Sequence, residues 1–168
     1  MKKLFSIIIA TTMLITSPLS FAADVEVTFT EPDKYRDIRN GNNGTKKNFE
    51  SRVFRTLEEH WAKLAEDLPK DQKLIIDVTD IDLAGDVNVG GINQHRIVKN
   101  IFFPRIEFSY KLVDANGETV IESEIDLKDM SFMTQTQLKY RNDFLGYEKK
   151  MLDDWFRQAF KDHVVEKE

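Results

Sequence analysis

Acidic side chains crowd one stretch of the chain, Asp77-x-Thr79-Asp80-x-Asp82-x-x-Gly85-Asp86. Oxygen ligands at this density are what a hard cation such as calcium takes. With Asp80 set as position one of a twelve-residue calcium loop, Asp82 and Gly85 fall where a ligand and a turn glycine belong. Position five is then Ala84 and position twelve Gly91, where acidic ligands are required. The match fails at two essential places, so Asp80, Asp82 and Asp86 remain weak metal candidates. Solvated acids at a strand end beside a turn-forming glycine explain the stretch better.

Of the three histidines, His60 lies beside the apolar stripe of a helical segment and His163 lies near the C-terminus. His95, next to Arg96, is the one placed for chemistry, and a hydrolase would need it within hydrogen-bond reach of Asp80 or Asp82. No G-x-S-x-G, H-E-x-x-H or phosphate-loop pattern accompanies it. Glu107, Glu124 and Asp126 offer paired carboxylates of the kind glycoside hydrolysis uses. On a flat, wet sheet face, however, nothing raises one pKa above the other. Arg105 and Lys128 stand as diagonal partners that offset the repulsion between Glu107 and Asp126. Tyr35, Arg36, Asp37, Arg39, Asp80, Asp82, His95, Arg96 and Arg105 then make a mixed-charge rim suited to binding.

Cysteine is absent, which excludes disulfides, thiol nucleophiles and thiolate metal sites. The chain opens with Lys2 and Lys3, an apolar run Leu4–Ile15 and then Ser20-Phe21-Ala22. That is the pattern of a signal peptide, residues 1–22, cleaved after Ala22 to leave a periplasmic protein. The run is too short for a membrane span, and without a cysteine it offers no lipid attachment. Losing Lys2 and Lys3 takes the formal net charge from −5 to −7. An acidic surface without a basic stripe argues against nucleic-acid binding.

The elements that must position these groups read as β-α-β-β-β-α over residues 23–168. Val25, Val27 and Phe29 alternate as a first strand. Phe49, Val53, Leu57, Trp61, Leu64 and Leu68 recur at helical spacing over Asn48–Leu68, with Thr45 or Asn48 as cap and Pro69 as stop. A second strand, Leu74–Leu83, changes parity midway, which predicts a bulge near Thr79-Asp80. In Phe102–Lys128 the apolar positions alternate on both sides of Asn116-Gly117, a strong hairpin signal. A two-residue loop there pairs Leu112 with Ile121, Phe108 with Ile125, Ile106 with Leu127 and Lys111 with Glu122. A last helix runs from Asn142 or Asp143 to His163, with Met151, Leu152, Trp155, Phe156 and Phe160 facing inward.

Two amphipathic helices over one face of a four-stranded mixed sheet make an α+β two-layer sandwich. A crossover helix makes strands one and two parallel. The loops 31–47, 84–100 and 129–141 then gather at the end opposite Asn116-Gly117, the natural place for function.

The stretches VTFTEPDKYRDIR (27–39), DVTDIDLAGD (77–86), FFPRIEFSYKLVDANGE (102–118) and YEKKMLDDWF (147–156) resemble a family of secreted, mostly proteobacterial proteins catalogued as domain of unknown function 3016. The resemblance implies export and one compact domain. It implies no activity, cofactor or partner. The expectation is a non-catalytic binding or envelope accessory module using the loop end toward an envelope protein or a small anionic ligand. A hydrolase built on His95 and a calcium-stabilised domain are the alternatives.

Overall fold

Alternating apolar residues from Leu74 to Val78 and from Ile106 to Leu112 bury one side of two antiparallel strands and leave the other side charged. The computed structural model describes residues 23–41, 44–88, 90, 94–134 and 139–164, so the expected signal peptide at 1–22 lies outside the described residues. Six strands and two helices follow in the order β1 (Asp24–Phe29), α1 (Lys46–Ala65), β2 (Lys73–Asp82), β3 (Asp86–Val87), β4 (Arg96–Ile97), β5 (Arg105–Val113), β6 (Thr119–Lys128) and α2 (Gly146–Ala159). The main sheet has the order β1-β2-β5-β6, with β1 parallel to β2 and the remaining pairs antiparallel. Both helices cover its apolar face, giving the two-layer α+β sandwich. Among the described residues no helix is long and apolar enough to cross a membrane.

Thr45 caps α1, its Oγ1 accepting the Asn48 amide at 3.3 Å. Trp61 of α1 and Trp155 of α2 meet edge-on across Phe108 of β5, at ring separations of 5.8 and 4.8 Å. Trp155 is therefore core. Large aromatic rings held edge to face contribute both apolar burial and a favourable quadrupole contact.

The hairpin register holds as expected: Leu112 faces Ile121, Phe108 faces Ile125, Ile106 faces Leu127 and Lys111 faces Glu122. The turn differs. Asp114 N donates to Glu118 O at 2.9 Å, so three residues, Ala115–Gly117, form the loop, with Gly117 at φ +82°. That conformation is open to glycine without a Cβ clash. Val113 now faces Thr119, and an irregularity beside Leu112 restores the register. The bulge expected in β2 is present, between Val78 and Asp80.

Helix α2 starts later than its periodicity indicates. Leu145 takes a left-handed conformation at φ +57°, and a Cβ on Gly146 would stand 2.4 Å from Tyr140 O. The backbone of the third loop thus presses on the helix start and delays it. The small β3–β4 ladder inside the second loop has no counterpart in the sequence reading. Two residues per strand are too few to show periodicity.

Candidate functional site

Phe29 lies level with Val78, while Asp82, Arg105 and Lys128 form a row at the same end of the sheet. The first two loops leave from this end and the third begins there, as the strand directions require. The loops are joined by Arg96. Its Nη1 donates to Asp37 Oδ2 at 3.0 Å and its Nη2 to Asp37 Oδ1 at 3.1 Å, a bidentate pair. The same guanidinium donates to the carbonyls of Leu83 (3.2 Å), Gly85 (2.7 Å) and Arg39 (3.0 Å). Gly85, at φ +83°, makes this approach possible, since a Cβ there would stand 2.8 Å from Ile97 O.

Asp37 is only 5% exposed. Its backbone extends the sheet: Asp37 N donates to Ile81 O and Leu83 N donates to Asp37 O, both at 3.1 Å. Oδ1 also accepts the amide and Nε of Arg39 at 3.0 Å. Burial raises the Asp37 carboxyl, but the hydrogen bonds from Arg96 and Arg39 outweigh it and hold the group below the usual aspartate range. Arg39 reaches on to Asp86.

A second ionic chain crosses the sheet end. Arg36 holds Asp80 through its amide (2.8 Å) and Nε (3.1 Å), and its Nη2 reaches Glu107 at 3.0 Å. Arg105 joins Glu107 at 2.8 Å to Asp126, which Lys128 also approaches at 3.6 Å. The cations expected to offset the Glu107–Asp126 repulsion are in place. Asp82 sits half-buried beside these groups without an ion pair among the described residues. Burial, with the carboxylates of Asp37 and Asp80, raises its pKa.

Several expected roles change on this geometry. Tyr35 belongs to the core: it is buried, its hydroxyl donates to Val78 O at 2.7 Å, and burial pushes its phenol well above the ordinary value. Its apolar ring packs edge-on against Phe54, and an amphipathic side chain of this kind suits either setting. Arg36, Arg39, Arg96 and Arg105 all meet carboxylates of their own chain. Their charge is compensated internally, which leaves little for an anionic ligand.

The hydrolase pair is not assembled. His95 is exposed, its backbone carbonyl accepts Asn88 N, and Asp80 is occupied by Arg36. No ion pair links His95 to Asp80 or Asp82. The calcium set is drawn apart as well, Asp80 to Arg36 and Asp86 to Arg39. No three acidic or histidine side chains among the described residues converge to hold a metal.

Sequence reasoning missed three features. Fully buried Glu148 accepts the Ala84 amide at 2.8 Å, and burial pushes its carboxyl up despite that bond. It borders a cavity of about 240 Å³ between Phe49, Leu83, Phe144 and Tyr147, smaller than ligand pockets usually are.

The second is a buried cluster behind the sheet end. His60 Nε2 lies 2.9 Å from Asp153 Oδ1 and 3.1 Å from Lys149 O. Both are acceptors, so the proton sits on Nε2. Asp153 also accepts Tyr140 Oη at 2.9 Å and Lys139 Nζ at 2.7 Å, tying the third loop to both helices. The Lys139 bond is one of several that together overcome burial and lower the Asp153 carboxyl.

The third is apolar. Of seven exposed large hydrophobic side chains among the described residues, five are Ile97, Val98, Ile101, Met130 and Met133. They occupy two segments joined where Asp129 N donates to Pro104 O at 3.2 Å. Apolar residues in otherwise polar loops are the signal for it that the sequence carries.

Fold and site together define a two-layer α+β protein whose charged loop end is largely neutralised from within. The chain belongs to the family described as Protein of unknown function (DUF3016), whose model matches residues 23–158. No curated protein matches the chain and no solved structure does.

Proposed function

We propose that this protein is an exported, non-catalytic binding or accessory module that docks an envelope protein through the loop-rich end of its sheet. The observation that carries the reading is the gathering of Ile97, Val98, Ile101, Met130 and Met133 on the two joined segments at that end. Ile101 and Met130 are 67% and 66% exposed. Large apolar side chains held in water in one region mark interaction surfaces, and methionine adapts its shape to a partner. The internal pairing of Arg36, Arg39, Arg96 and Arg105 favours a protein partner over a small anion.

The test is photo-crosslinking in the native cells with benzoylphenylalanine placed at Ile101, at Met130 or at Glu58 on the exposed side of α1. A discrete adduct from the first two positions and none from Glu58 supports the reading. The same adducts from all three positions, or none from any, refute it. Fractionation with N-terminal sequencing of the mature chain tests export, and a start at Ala23 is the expected result.

A further inference from the structure

The charges around the apolar end carry a further distinction. Most are paired: Lys128 with Asp126, Lys139 with Asp153, Lys149 with Asp143 and Arg39 with Asp86. Asp82 and Asp129 also lack an ion-pair partner among the described residues, but both are half-buried, and the Asp129 carboxylate accepts the Ser131 amide at 2.9 Å. Lys99 and Arg141 are different. Both are exposed, and neither has an ion-pair partner among the described residues. Lys99 lies between Val98 and Ile101. Arg141 borders a recess of about 160 Å³ that Phe132, Met133, Tyr140, Tyr147 and Asp143 also line, room for one apolar side chain; Asp143 there is paired with Lys149. Lys99 thus adjoins exposed Val98 and Ile101 along the chain, and Arg141 shares its recess with exposed Met133.

We propose that this end takes an apolar segment of a partner protein whose flanking side chains are acidic, with Lys99 and Arg141 as the charge-selecting residues. The proposal rests on the reading of the loop end as the docking surface. Apolar burial supplies attraction without sign, whereas two uncompensated cations set which segment fits. At cellular ionic strength charges act over about 8 Å. The local cations therefore outweigh the overall acidity of the chain at the point of contact. That acidity, a formal net charge of −5, disfavours an anionic bilayer as the occupant, because a membrane surface meets the field of the whole protein.

The experiment uses the mature protein and two dye-labelled sixteen-residue amphipathic peptides with the same leucine face, one with glutamate and one with lysine at the flanking positions. Fluorescence anisotropy should show the glutamate peptide binding about tenfold more tightly at low salt, with the margin shrinking as salt rises. The double variant Lys99→Glu, Arg141→Glu should reverse the order. Ile101→Asp with Met130→Asp should abolish binding of both peptides. All four positions are exposed, and circular dichroism melting confirms that the variants fold.

A wild-type protein that binds neither peptide, or binds the lysine peptide as well as the glutamate one, overturns the proposal. So does a charge-reversed variant with unchanged preference. Binding to phosphatidylglycerol vesicles that is lost in the apolar double variant overturns it in favour of a lipid surface. If crosslinking still maps a partner to Ile101 while the peptide preference is absent, only the charge assignment fails. If Ile97→Asp with Met133→Asp, both exposed positions of the same two segments, leaves the crosslinks from Ile101 and Met130 unchanged, the docking surface itself is wrong.

Discussion

Replacing Arg96 by methionine keeps the aliphatic stem and removes the guanidinium that ties Asp37 to the second loop. Six hydrogen bonds disappear, two to the Asp37 carboxylate and one each to the carbonyls of Leu83, Ala84, Gly85 and Arg39. Asp37 keeps Arg39 as a partner but stays buried. Removing one member of a buried ion pair costs about 3–5 kcal/mol. With Arg39 still in place and one-fifth of the Arg96 side chain exposed, the lower end applies, about 3 kcal/mol. At about 2–4 °C per kcal/mol for a chain of this size, Tm should fall by about 6–12 °C. Arg36→Met is the control: its pairs are close to half exposed on the Arg36 side, so its cost should stay below about 1 kcal/mol.

Urea unfolding followed by tryptophan fluorescence measures both variants. A pH series adds an independent readout. The folded Asp37 carboxyl lies below its ordinary value, so its contribution is present at neutral pH. It is lost as pH falls from about 3.9 through the lower folded value. Arg96→Met should flatten that acid limb. An Arg96→Met protein that loses less than about 1 kcal/mol, or no more than Arg36→Met, refutes the clamp.

Two further outcomes follow from the buried titratable groups. Burial raises the Glu148 carboxyl, so folding favours its protonated form, and stability should fall as pH rises from about 4.3 through the raised value. Glu148→Gln retains an acceptor for Ala84 N and should remove this slope and stabilise the protein at neutral pH, whereas Glu148→Ala should cost about 1–3 kcal/mol by orphaning the amide; denaturant titrations across pH read both. Burial lowers the His60 pKa despite the carboxylate of Asp153. The folded state therefore holds it neutral, and stability should decline as pH drops from about 6.5 through the lowered value. NMR titration of the His60 ring should place its midpoint below the ordinary histidine value of about 6.5, and a midpoint above it would contradict the buried neutral tautomer.

Much of the layer arrangement was already legible in one dimension. Alternation in Phe102–Lys128 sets which side chains are buried, and a one-residue slip would turn Phe108 and Ile125 to water, so the hairpin register follows from the apolar positions alone. The parity change between Val78 and Ile81 announces the bulge for the same reason. The helical stripe of Trp61 and the acidic, cysteine-free composition were equally local properties. Even at the turn, Asn116-Gly117 marks the place but not the loop length. That length depended on Asp114, whose Oδ1 accepts both Asn116 N and Glu118 N at 2.9 Å.

Only the tertiary structure decided what the charged residues do. Arg96 and Asp37 are 59 positions apart, and His60 meets Asp153 from another helix. A sequence shows that an arginine or a histidine is present. Whether it faces solvent or a carboxylate depends on how separate elements dock. The chain itself supplies anions for Arg36, Arg39, Arg96 and Arg105, and so turns an apparent anion-binding rim into an internal clamp. Ile101 and Met130 stand out in the sequence as apolar residues in polar loops, but that Lys99 and Arg141 lack such partners could be recognised only after every other pairing was known. Periodicity is written in neighbouring residues and survives without the fold, whereas an ion pair or an exposed patch exists only when distant segments share the same space.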